Sequence, residues 1–252
     1  DITQESIADV EMTIEDIPNS VLTAIEEQQR KYPHMKVAVG IFALDGSKAY
    51  IYNGNTKLFG ACTIKAAYAC FVLKEAERRG ININEYQIEY VPSTDKMGGS
   101  GDIATSSKKY YTVKELLQKL ISISDNTAYR MLDKVFSVDD FKNELNEIGG
   151  ATEFKNRYFS YTNVYERYNE WRWIYDYEQT GTEYAQYLES LLKMAQAYYF
   201  GIGSYTQHQH KSGWTENDDG NMYTACDAGI VSGKYILVIL TRDDWAEAPN
   251  AD

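Results

Sequence analysis

The strongest constraint on the fold is an uninterrupted apolar segment, Ala66–Leu73, in the first third of the chain. A helix on the surface of a protein keeps a polar face, whereas this segment is apolar on every side. It turns polar at Lys74–Arg79 and is followed by Gly80, a residue typical of helix C-termini. The pattern predicts a helix that runs through the middle of the protein, with the rest of the chain packed around it.

Two chemically reactive side chains, Cys62 and Lys65, stand at the start of this helix. A spacing of three residues places them on one helix face, one turn apart. The lysine charge and the positive end of the helix both favour the thiolate form of such a cysteine. Spacing alone favours a plainer interpretation, in which Lys65 extends to solvent and Cys62 is a small core residue.

The predicted strands lie near the two ends of the chain. Lys36–Leu44 and Lys48–Tyr52 flank the turn signal Asp45–Ser47. Towards the C-terminus, turn signals at 218–220 and 232–233 separate three further candidates: Gln207–Ser212, Met222–Val231 and Lys234–Thr241. The sheet is therefore expected to be antiparallel and assembled from both chain ends, with helices between them.

These elements predict an α/β (α+β) fold in a single domain, residues 1–252. Its sheet lobe covers about 17–60 and 205–245, and its helical lobe covers about 61–204. Besides the central helix, helices are predicted at 19–31, 112–121, 127–135, 138–148 and 183–199. The segment Thr112–Glu115 resembles a capping box at the start of the second of these. Residues 1–16 are expected to form an acidic tail or surface segment, and 81–111 mostly loop.

The segment 158–205 is rich in aromatic residues and holds half of the 22 tyrosines. Tyrosine offers an apolar body and a polar tip, so the cluster is typical of a cleft for a peptide or a sugar. It is equally consistent with a surface layer. Both interpretations stay open at this point.

Composition excludes several classes of partner. The net charge of −12, without a basic stripe, argues against nucleic acid and anionic membranes. No apolar run reaches the ~18 residues of a membrane-spanning helix, and the first residues do not resemble a signal peptide. Three cysteines imply no disulfide framework, and Cys70 and Cys226 are expected to be structural. The turn Gly98–Asp102 lacks the lysine and strand-to-helix context of a phosphate-binding loop, and no cofactor is expected.

Three short motifs follow one another in the chain: Cys62-Thr63-Ile64-Lys65, Ser124-Asp125-Asn126 and Lys211-Ser212-Gly213. They are predicted at a helix start, a loop between helices and an edge strand. Their order, spacing and context resemble those of the class A β-lactamases and the related penicillin-binding D-alanyl peptidases, whose motifs are Ser-x-x-Lys, Ser-Asp-Asn and Lys-Thr-Gly. The resemblance extends from about Lys36 to Thr241.

The resemblance implies catalytic roles for three residues. Cys62 stands where the family has its acylated serine, and Lys65 where it has the general base or proton relay. Ser124 would pass a proton to the leaving nitrogen. Acyl transfer needs such an activated nucleophile, a proton relay and donors aimed at a developing oxyanion.

The resemblance also implies a set of substrate-binding residues: Asn126, Lys211, Ser212, Gly213 and Trp214. Asn126 would hydrogen-bond the amide of the substrate's side chain, and Lys211 with Ser212 would hold its carboxylate. The oxyanion hole is expected from the backbone N–H groups of the nucleophile and of Trp214.

The sequence departs from the family at two points. The nucleophile is a cysteine, which forms a thioester where serine forms an ester. The Glu-x-x-Leu-Asn motif that supplies the deacylation base is missing: of Glu153, Glu166, Glu170 and Glu178, none begins it. Slow turnover, or transfer of the acyl group to another acceptor, is therefore expected in place of fast lactam hydrolysis.

Other interpretations stay open at this point. Cys62 could pair with His208 or His210 as a cysteine–histidine dyad. The same two histidines could bind a metal, although a third ligand is not identifiable and no metal is expected. A non-catalytic cell-wall or antibiotic sensor is the alternative from another class.

The prediction is acyl transfer on a β-lactam or a D-alanyl stem peptide of peptidoglycan through Cys62, by a monomer. Because such substrates lie outside the cytoplasm, the resemblance implies an extracellular or cell-surface protein of a bacterium.

Overall fold

The structure is a computed structural model that describes residues 12–196, 208–216 and 222–244. Its helices are Asn19–Lys31 (α1), Lys65–Arg79 (α2), Pro92–Asp95 (α3), Val113–Ser122 (α4), Asn126–Asp133 (α5), Val138–Glu147 (α6), Val164–Glu178 (α7) and Glu183–Lys193 (α8). Its strands are Thr13–Asp16 (β1), Lys36–Ala43 (β2), Lys48–Tyr52 (β3), Leu58–Phe59 (β4), Gln87–Glu89 (β5), Tyr110–Thr112 (β6), Tyr161–Thr162 (β7), His208–Glu216 (β8), Met222–Val231 (β9) and Tyr235–Asp244 (β10).

One six-stranded sheet joins the two ends of the chain, in the order β1-β3-β2-β10-β9-β8. All neighbours are antiparallel except β1 and β3. The expected fold class, an antiparallel sheet from both chain ends with helices between them, is confirmed. The sheet places β8 at one edge, where it faces the start of α2.

Both faces of the sheet are covered by helices, which explains why the sequence of β2 is a continuous apolar run. On one face, Val37 and Val39 pack with Ile25 of α1. On the other face, Ala38 and Phe42 belong to the main core. Residues pointing to either side of β2 are therefore buried.

Helix α2 is the centre of the main core, as its sequence predicts. Every residue from Lys65 to Leu73 is buried. Tyr68 packs against aromatic rings of α5 and α6, and its hydroxyl donates to the Phe136 carbonyl at 2.6 Å. The helix ends at Gly80, whose φ of 65° is left-handed, a conformation that glycine adopts without steric cost.

The aromatic segment between α6 and α8 contributes mainly to packing within the protein. Tyr168 of α7 stacks on Phe42 of the sheet with ring centroids 4.0 Å apart, and Trp171 is 1% exposed. Val164 lies against Gly40, where a Cβ would be 2.3 Å from its side chain. Most of the cluster is thus neither a cleft nor a surface layer, because α7 is wedged between the sheet and the other helices.

Several boundaries differ from the prediction. Residues 13–16 are strand β1, because the edge of β3 offers backbone partners that side-chain patterns do not reveal. The predicted loop 81–111 contains the pair β5–β6 and the short helix α3. The described part of the last helix ends at Lys193. Residues 1–11, 197–199, Gln207 and the predicted turn 218–220 lie outside the described residues.

The capping box predicted for α4 is present, since Thr112 and Glu115 exchange side-chain to backbone hydrogen bonds. Helix α1 begins at Asn19 as predicted, but Pro18 occupies its N-cap position and no side chain caps it. In the part of the chain that the structure describes, no helix has the length and apolarity to cross a membrane.

Candidate active site

Cys62 lies in a tight 3-10 turn, Ala61–Ile64, that leads directly into α2. The preceding residue, Ala61, has a φ of 46°, a left-handed conformation that is costly for a residue with a Cβ. The turn places the thiol half-buried at the edge of the core, with Sγ 3.4 Å from the Lys65 Nζ. The three-residue spacing thus brings the two groups together as predicted.

Lys65 is fully buried, so its side chain does not extend to solvent. Its ammonium donates to the Ser124 carbonyl at 2.7 Å, to the Ser124 hydroxyl at 3.2 Å and to the Asn126 side-chain oxygen at 2.6 Å. These acceptors are all neutral. Burial lowers the pKa of Lys65 from its ordinary value, against the opposing effect of Cys62. A lysine with a lowered pKa gives up its proton more readily, so it is better suited to accept and return a proton during a reaction.

The surroundings of Cys62 favour its thiolate. Burial acts to raise the pKa of the Cys62 thiol, but the charges of Lys65 and Lys211 and a hydrogen bond with Ser124 outweigh it, so the pKa lies below its ordinary value. Burial raises the pKa of the other two free cysteines, Cys70 and Cys226, the latter to about 12. Cys62 is therefore the reactive thiol of the three.

Ser124 and Asn126 are held at the site by Asp125, which lies between them. Asp125 is fully buried and caps α5 through the Ala128 N–H at 2.8 Å. Its second oxygen accepts from the N–H groups of Asp102 and Ile103 at 2.8 and 2.9 Å. Ser124 itself has a left-handed φ of 57°. Asp125 thus fixes both the serine and the glycine-rich loop opposite it.

Asn126 spans two parts of the site. Its side-chain oxygen accepts from Lys65, and its side-chain nitrogen donates to the Gly98 carbonyl at 2.8 Å. Gly99 has a φ of 94°, and a Cβ there would be 2.7 Å from the Asn126 amide nitrogen. The glycine-rich turn 98–102 is therefore shaped to approach the active site, although it is not a phosphate-binding loop.

The edge strand β8 brings the third motif against the nucleophile. A Cβ on Gly213 would be 2.4 Å from the backbone nitrogen of Cys62, so only glycine permits this approach. Lys211 is buried and donates to the Ser212 carbonyl at 2.7 Å. Burial lowers the pKa of Lys211 to about 8, and the Lys65 charge adds to this effect. Trp214 is 41% exposed at the rim.

Two cavities share Cys62, Ser100 and Trp214 in their walls. The first, which we call the acyl-side cavity, has a volume of about 500 Å³ and is lined by Phe59, Ala61, Cys62, Gly99, Ser100, Asn126, Lys155, Asn156, Phe159 and Trp214. The second, which we call the carboxylate-side cavity, has a volume of about 470 Å³ and is lined by Cys62, Ser100, Gly101, Asp102, Ser122, Ile123, Ser124, Gln196 and Lys211–Trp214. The nucleophile is therefore open to a ligand from both sides.

The four glutamates considered as deacylation bases have structural partners elsewhere. Glu166 forms a capping box with Asn163 and pairs with Lys57 at 2.5 Å. Glu170 forms a buried ion pair with Arg167 and accepts from the Ala151 N–H.

Glu178 accepts from the Gln209 amide at 3.1 Å, and burial raises its pKa to about 7. Glu153 lies 4.0 Å from Lys57. None of the four is among the described residues that line either cavity.

The dyad of Cys62 with His210 and the metal site do not fit the structure. The Nδ1 of His210 lies 3.0 Å from the Asp227 carboxylate, and its Nε2 lies 3.2 Å from the Ala195 carbonyl. Both ring nitrogens are thus engaged away from Cys62, and the His208 ring lies 5.1 Å from that of His210. Within the described ranges no group of three potential metal ligands occurs. The interpretations as a dyad with His210 and as a metal site are therefore not supported.

Phe59, Lys155 and Phe159 are among the cavity residues that the sequence motifs do not indicate. The Phe159 ring lies over the Lys65 ammonium, 5.7 Å from ring centroid to Nζ. These residues lie on the short pair β4–β7 and on the irregular loop before it, which carry no periodic pattern. The one indication in the sequence is an absence: the Glu-x-x-Leu-Asn motif is missing from the region of the loop before β7.

A thiol and a lysine at the start of a central helix, a serine between two helices and a Lys-Ser-Gly edge strand thus lie together, in the arrangement that the three sequence motifs predict. The model of the β-lactamase enzyme family matches residues 19–252, and the chain belongs to that family. A comparison with curated protein sequences finds no match.

Solved structures share the fold at low sequence identity. A β-lactamase from Sphaerobacter thermophilus DSM 20745 has a TM-score of 0.71 and 17% identity, covering 91% of this chain and 90% of its own. A class A β-lactamase representative from Bacteroides cellulosilyticus DSM 14838 has a TM-score of 0.72 and 16% identity, covering 94% and 93%. A PBP-A mutant, in an acyl-enzyme complex with penicillin G, has a TM-score of 0.68 and 17% identity, covering 92% and 90%.

Proposed function

We propose that the protein opens a β-lactam, or cleaves a D-alanyl peptide amide, by transferring the acyl group to Cys62. One observation carries this proposal: the Lys65 Nζ contacts both the Cys62 sulfur at 3.4 Å and the Ser124 hydroxyl at 3.2 Å. A single base thus reaches the nucleophile and the group that serves the leaving nitrogen. Membership of the β-lactamase family supports a hydrolase-type function of this kind.

Acylation uses these three residues in sequence. The Cys62 thiol gives its proton to the Lys65 amine, and the sulfur attacks the carbonyl carbon of the substrate. When the carbon–nitrogen bond breaks, the Ser124 hydroxyl protonates the leaving nitrogen and regains a proton from Lys65. The products are a thioester on Cys62 and a free amine, and the enzyme residues return to their starting protonation.

The two cavities orient the substrate around this chemistry. Lys211 and Ser212, in the carboxylate-side cavity, offer a cation and a hydroxyl to the substrate carboxylate. The side chain of the acyl group then extends into the acyl-side cavity beside Asn126. The carbonyl oxygen of the substrate lies where β8 approaches Cys62. The backbone N–H groups of Cys62 and Trp214 are the two donors of its oxyanion hole.

Deacylation is expected to be slow. Hydrolysis of the thioester needs a base that activates water, and no carboxylate is among the described residues of the acyl-side cavity. The Phe159 ring covers Lys65 on that side and excludes water from its amine. A thioester reacts readily with amines, so transfer to an amine acceptor is the alternative route of release.

The same proposal places the protein at the cell surface or outside the cell of a bacterium. Its substrates, β-lactams and the stem peptides of peptidoglycan, are met outside the cytoplasm. We propose that it acts there as a monomer.

Intact-protein mass spectrometry after incubation with benzylpenicillin and, separately, with a cephalosporin tests the proposal. We expect an adduct of one lactam mass in the natural chain and in Cys62→Ser, and none in Cys62→Ala. An adduct that decays within seconds would contradict slow deacylation. If neither the natural chain nor Cys62→Ser is labelled, the catalytic proposal is wrong and a non-catalytic binding domain takes its place.

A further inference from the structure

The acyl-side cavity combines aromatic surface with a positive charge. Phe59, Phe159 and Trp214 supply three rings to its wall. Lys155 lines the same cavity, half-buried, with its Nζ 5.3 Å from the centroid of the Phe59 ring. The nucleophile Cys62 belongs to the same wall. A group attached to the acyl carbon of a bound substrate therefore enters a space that contains rings and an ammonium.

The loop that carries Lys155 and Phe159 is held in place. The Lys155 N–H donates to the Phe159 carbonyl at 2.9 Å, which closes a tight turn. The Asn156 side chain accepts from the N–H groups of Tyr158 and Phe159. Arg157 at the tip pairs with two carboxylates of the helical lobe. Because the turn is ordered before a ligand arrives, little conformational entropy is lost when one binds.

Charge distinguishes this cavity from the rest of the molecule. The whole chain carries −12, so an anionic ligand meets general repulsion at the surface. Among the described residues that line the acyl-side cavity, Lys155 is the cationic one, and the buried Lys65 lies behind the wall beside Cys62, held by neutral acceptors. A carboxylate on the substrate's side chain would approach Lys155 while an adjacent ring packs against the aromatic wall.

We propose that this cavity selects acyl donors whose side chain carries a carboxylate next to an apolar or aromatic group, and that Lys155 is the specificity-determining residue. The inference rests on the proposed function, since it names the substrate class of the same site. In a cell-wall peptide the corresponding group is a free carboxylate on the side chain of the residue that precedes the acylated D-alanine.

Three penicillins that differ at one carbon test the inference. Benzylpenicillin has hydrogen at the α-carbon of its phenylacetyl side chain, carbenicillin has a carboxylate there, and ampicillin has an ammonium. We expect carbenicillin to acylate Cys62 about threefold to tenfold faster than benzylpenicillin, because its carboxylate forms a partly exposed ion pair with Lys155. Ampicillin, whose ammonium is repelled by Lys155, should react most slowly. Second-order rates come from quenched samples measured by intact-protein mass spectrometry.

The matched variants are Lys155→Met and Lys142→Met. Lys142 also lies over a ring, with its Nζ 4.4 Å from the centroid of Phe154, but it is not among the residues that line the cavity. Lys155→Met should remove the advantage of carbenicillin, Lys155→Glu should reverse it in favour of ampicillin, and Lys142→Met should preserve it. An unchanged order of rates in Lys155→Met would overturn the inference.

A binding measurement separates this inference from the proposed function. In Cys62→Ala, which cannot be acylated, the rise in Tm on adding each penicillin reports its binding to the cavity. The inference predicts the largest rise with carbenicillin, and a loss of that difference when Lys155→Met is added. Equal rises for the three penicillins would contradict it. If no penicillin acylates the natural chain while this order of Tm values holds, the proposed function fails and the subsite stands.

Discussion

At the scale of single residues, the site depends on a buried lysine with an unusual set of partners. The Lys65 ammonium is held by three neutral oxygens and lies beside the Cys62 sulfur. A buried charge of this kind costs free energy, and core packing alone does not require one. Such a group is typical of a site whose chemistry needs a proton to move.

Replacing Lys65 by methionine should abolish most of the acylation. The variant keeps the apolar length of the side chain but loses the base, so we expect the acylation rate to fall roughly 10²- to 10⁴-fold. Because the lysine charge also lowers the pKa of Cys62, the thiolate should form at higher pH in the variant. The rate of alkylation by iodoacetamide, measured against pH, gives this midpoint.

Lys74→Met is the matched control for Lys65→Met. Lys74 lies on the same helix, and its Nζ is 4.8 Å from the centroid of the Trp173 ring, outside both cavities. Its loss should leave the acylation rate and the alkylation midpoint unchanged. If Lys65→Met acylates at the natural rate, the lysine is not the base, and the proton path must run through another group.

Gly213 should tolerate no side chain. Because an added Cβ would lie 2.4 Å from the Cys62 nitrogen, Gly213→Ala must push β8 away from the nucleophile. We expect a loss of about 1–3 kcal/mol in the free energy of unfolding, together with slower acylation. Gly98→Ala, in the glycine-rich turn 98–102, is the control, since nothing lies within 4 Å of its Cβ position. Urea unfolding and acylation rates for both variants decide whether close approach is what the glycine provides.

At the scale of elements, the loop between α6 and α7 is tied to the helical lobe by Arg157. Its guanidinium pairs with Asp133 at 2.8 Å and with Asp139 at 3.1 Å. Burial acts to raise the pKa of Asp133, but hydrogen bonds, with that from Arg157 the strongest, outweigh it and hold the pKa below its ordinary value. A carboxyl with a lowered pKa in the folded state stabilises the protein above its unfolded pKa, and that contribution is lost as the pH falls.

Arg157→Met should therefore lower the free energy of unfolding at pH 7 by about 1 kcal/mol. The difference from the natural chain should shrink as the pH falls below the ordinary Asp value of about 4. Urea unfolding at several pH values measures it, and Arg172→Met, which removes the exposed pair with Asp176 on α7, is the control. A difference that stays constant with pH would show that the pair does not anchor the loop through its charge.

Helices and strands are predictable from the sequence when the pattern that determines them lies within their own residues. The buried helix α2, the capping box of α4 and the strand β9 each have a pattern within their own residues, and each was predicted closely. The strand β1 was not, because its backbone pairs with β3 and its side chains show no clear alternation.

The same distinction holds for the site. Cys62 and Lys65 are three residues apart, so helical geometry places them on one face, although spacing alone favoured a lysine that extends to solvent and only the set of three motifs indicated a shared site. Lys155 and Phe159 reach the cavity through an irregular turn that is fixed by Asn156 and Arg157. Hydrophobic periodicity in the sequence does not predict such a turn. The sequence therefore indicated that Cys62, Lys65 and Ser124 share a site, but not that Lys155 and Phe159 line the cavity beside it.

At the scale of the whole molecule, the net charge of the protein is negative, whereas the charged side chains around Cys62 are mainly lysines. The charge of −12 is spread over a chain whose expected radius of gyration is ~18 Å. Lys65, Lys155 and Lys211 lie in the walls of the cleft or next to them, within contact distance of a bound ligand. Salt screens interactions beyond ~10 Å at 0.1 M and hardly weakens contacts shorter than that. Added salt should thus remove the repulsion more than the attraction.

Acylation by an anionic lactam should consequently become faster as salt increases. Between about 10 mM and 150 mM NaCl we expect the second-order rate for benzylpenicillin to rise about twofold to fivefold, because the Debye length falls from ~30 Å to ~8 Å. A zwitterionic lactam, whose net charge is zero, should show almost no change and serves as the control. A rate for benzylpenicillin that falls with salt would mean that the site lysines, acting beyond contact range, outweigh the charge of the whole chain.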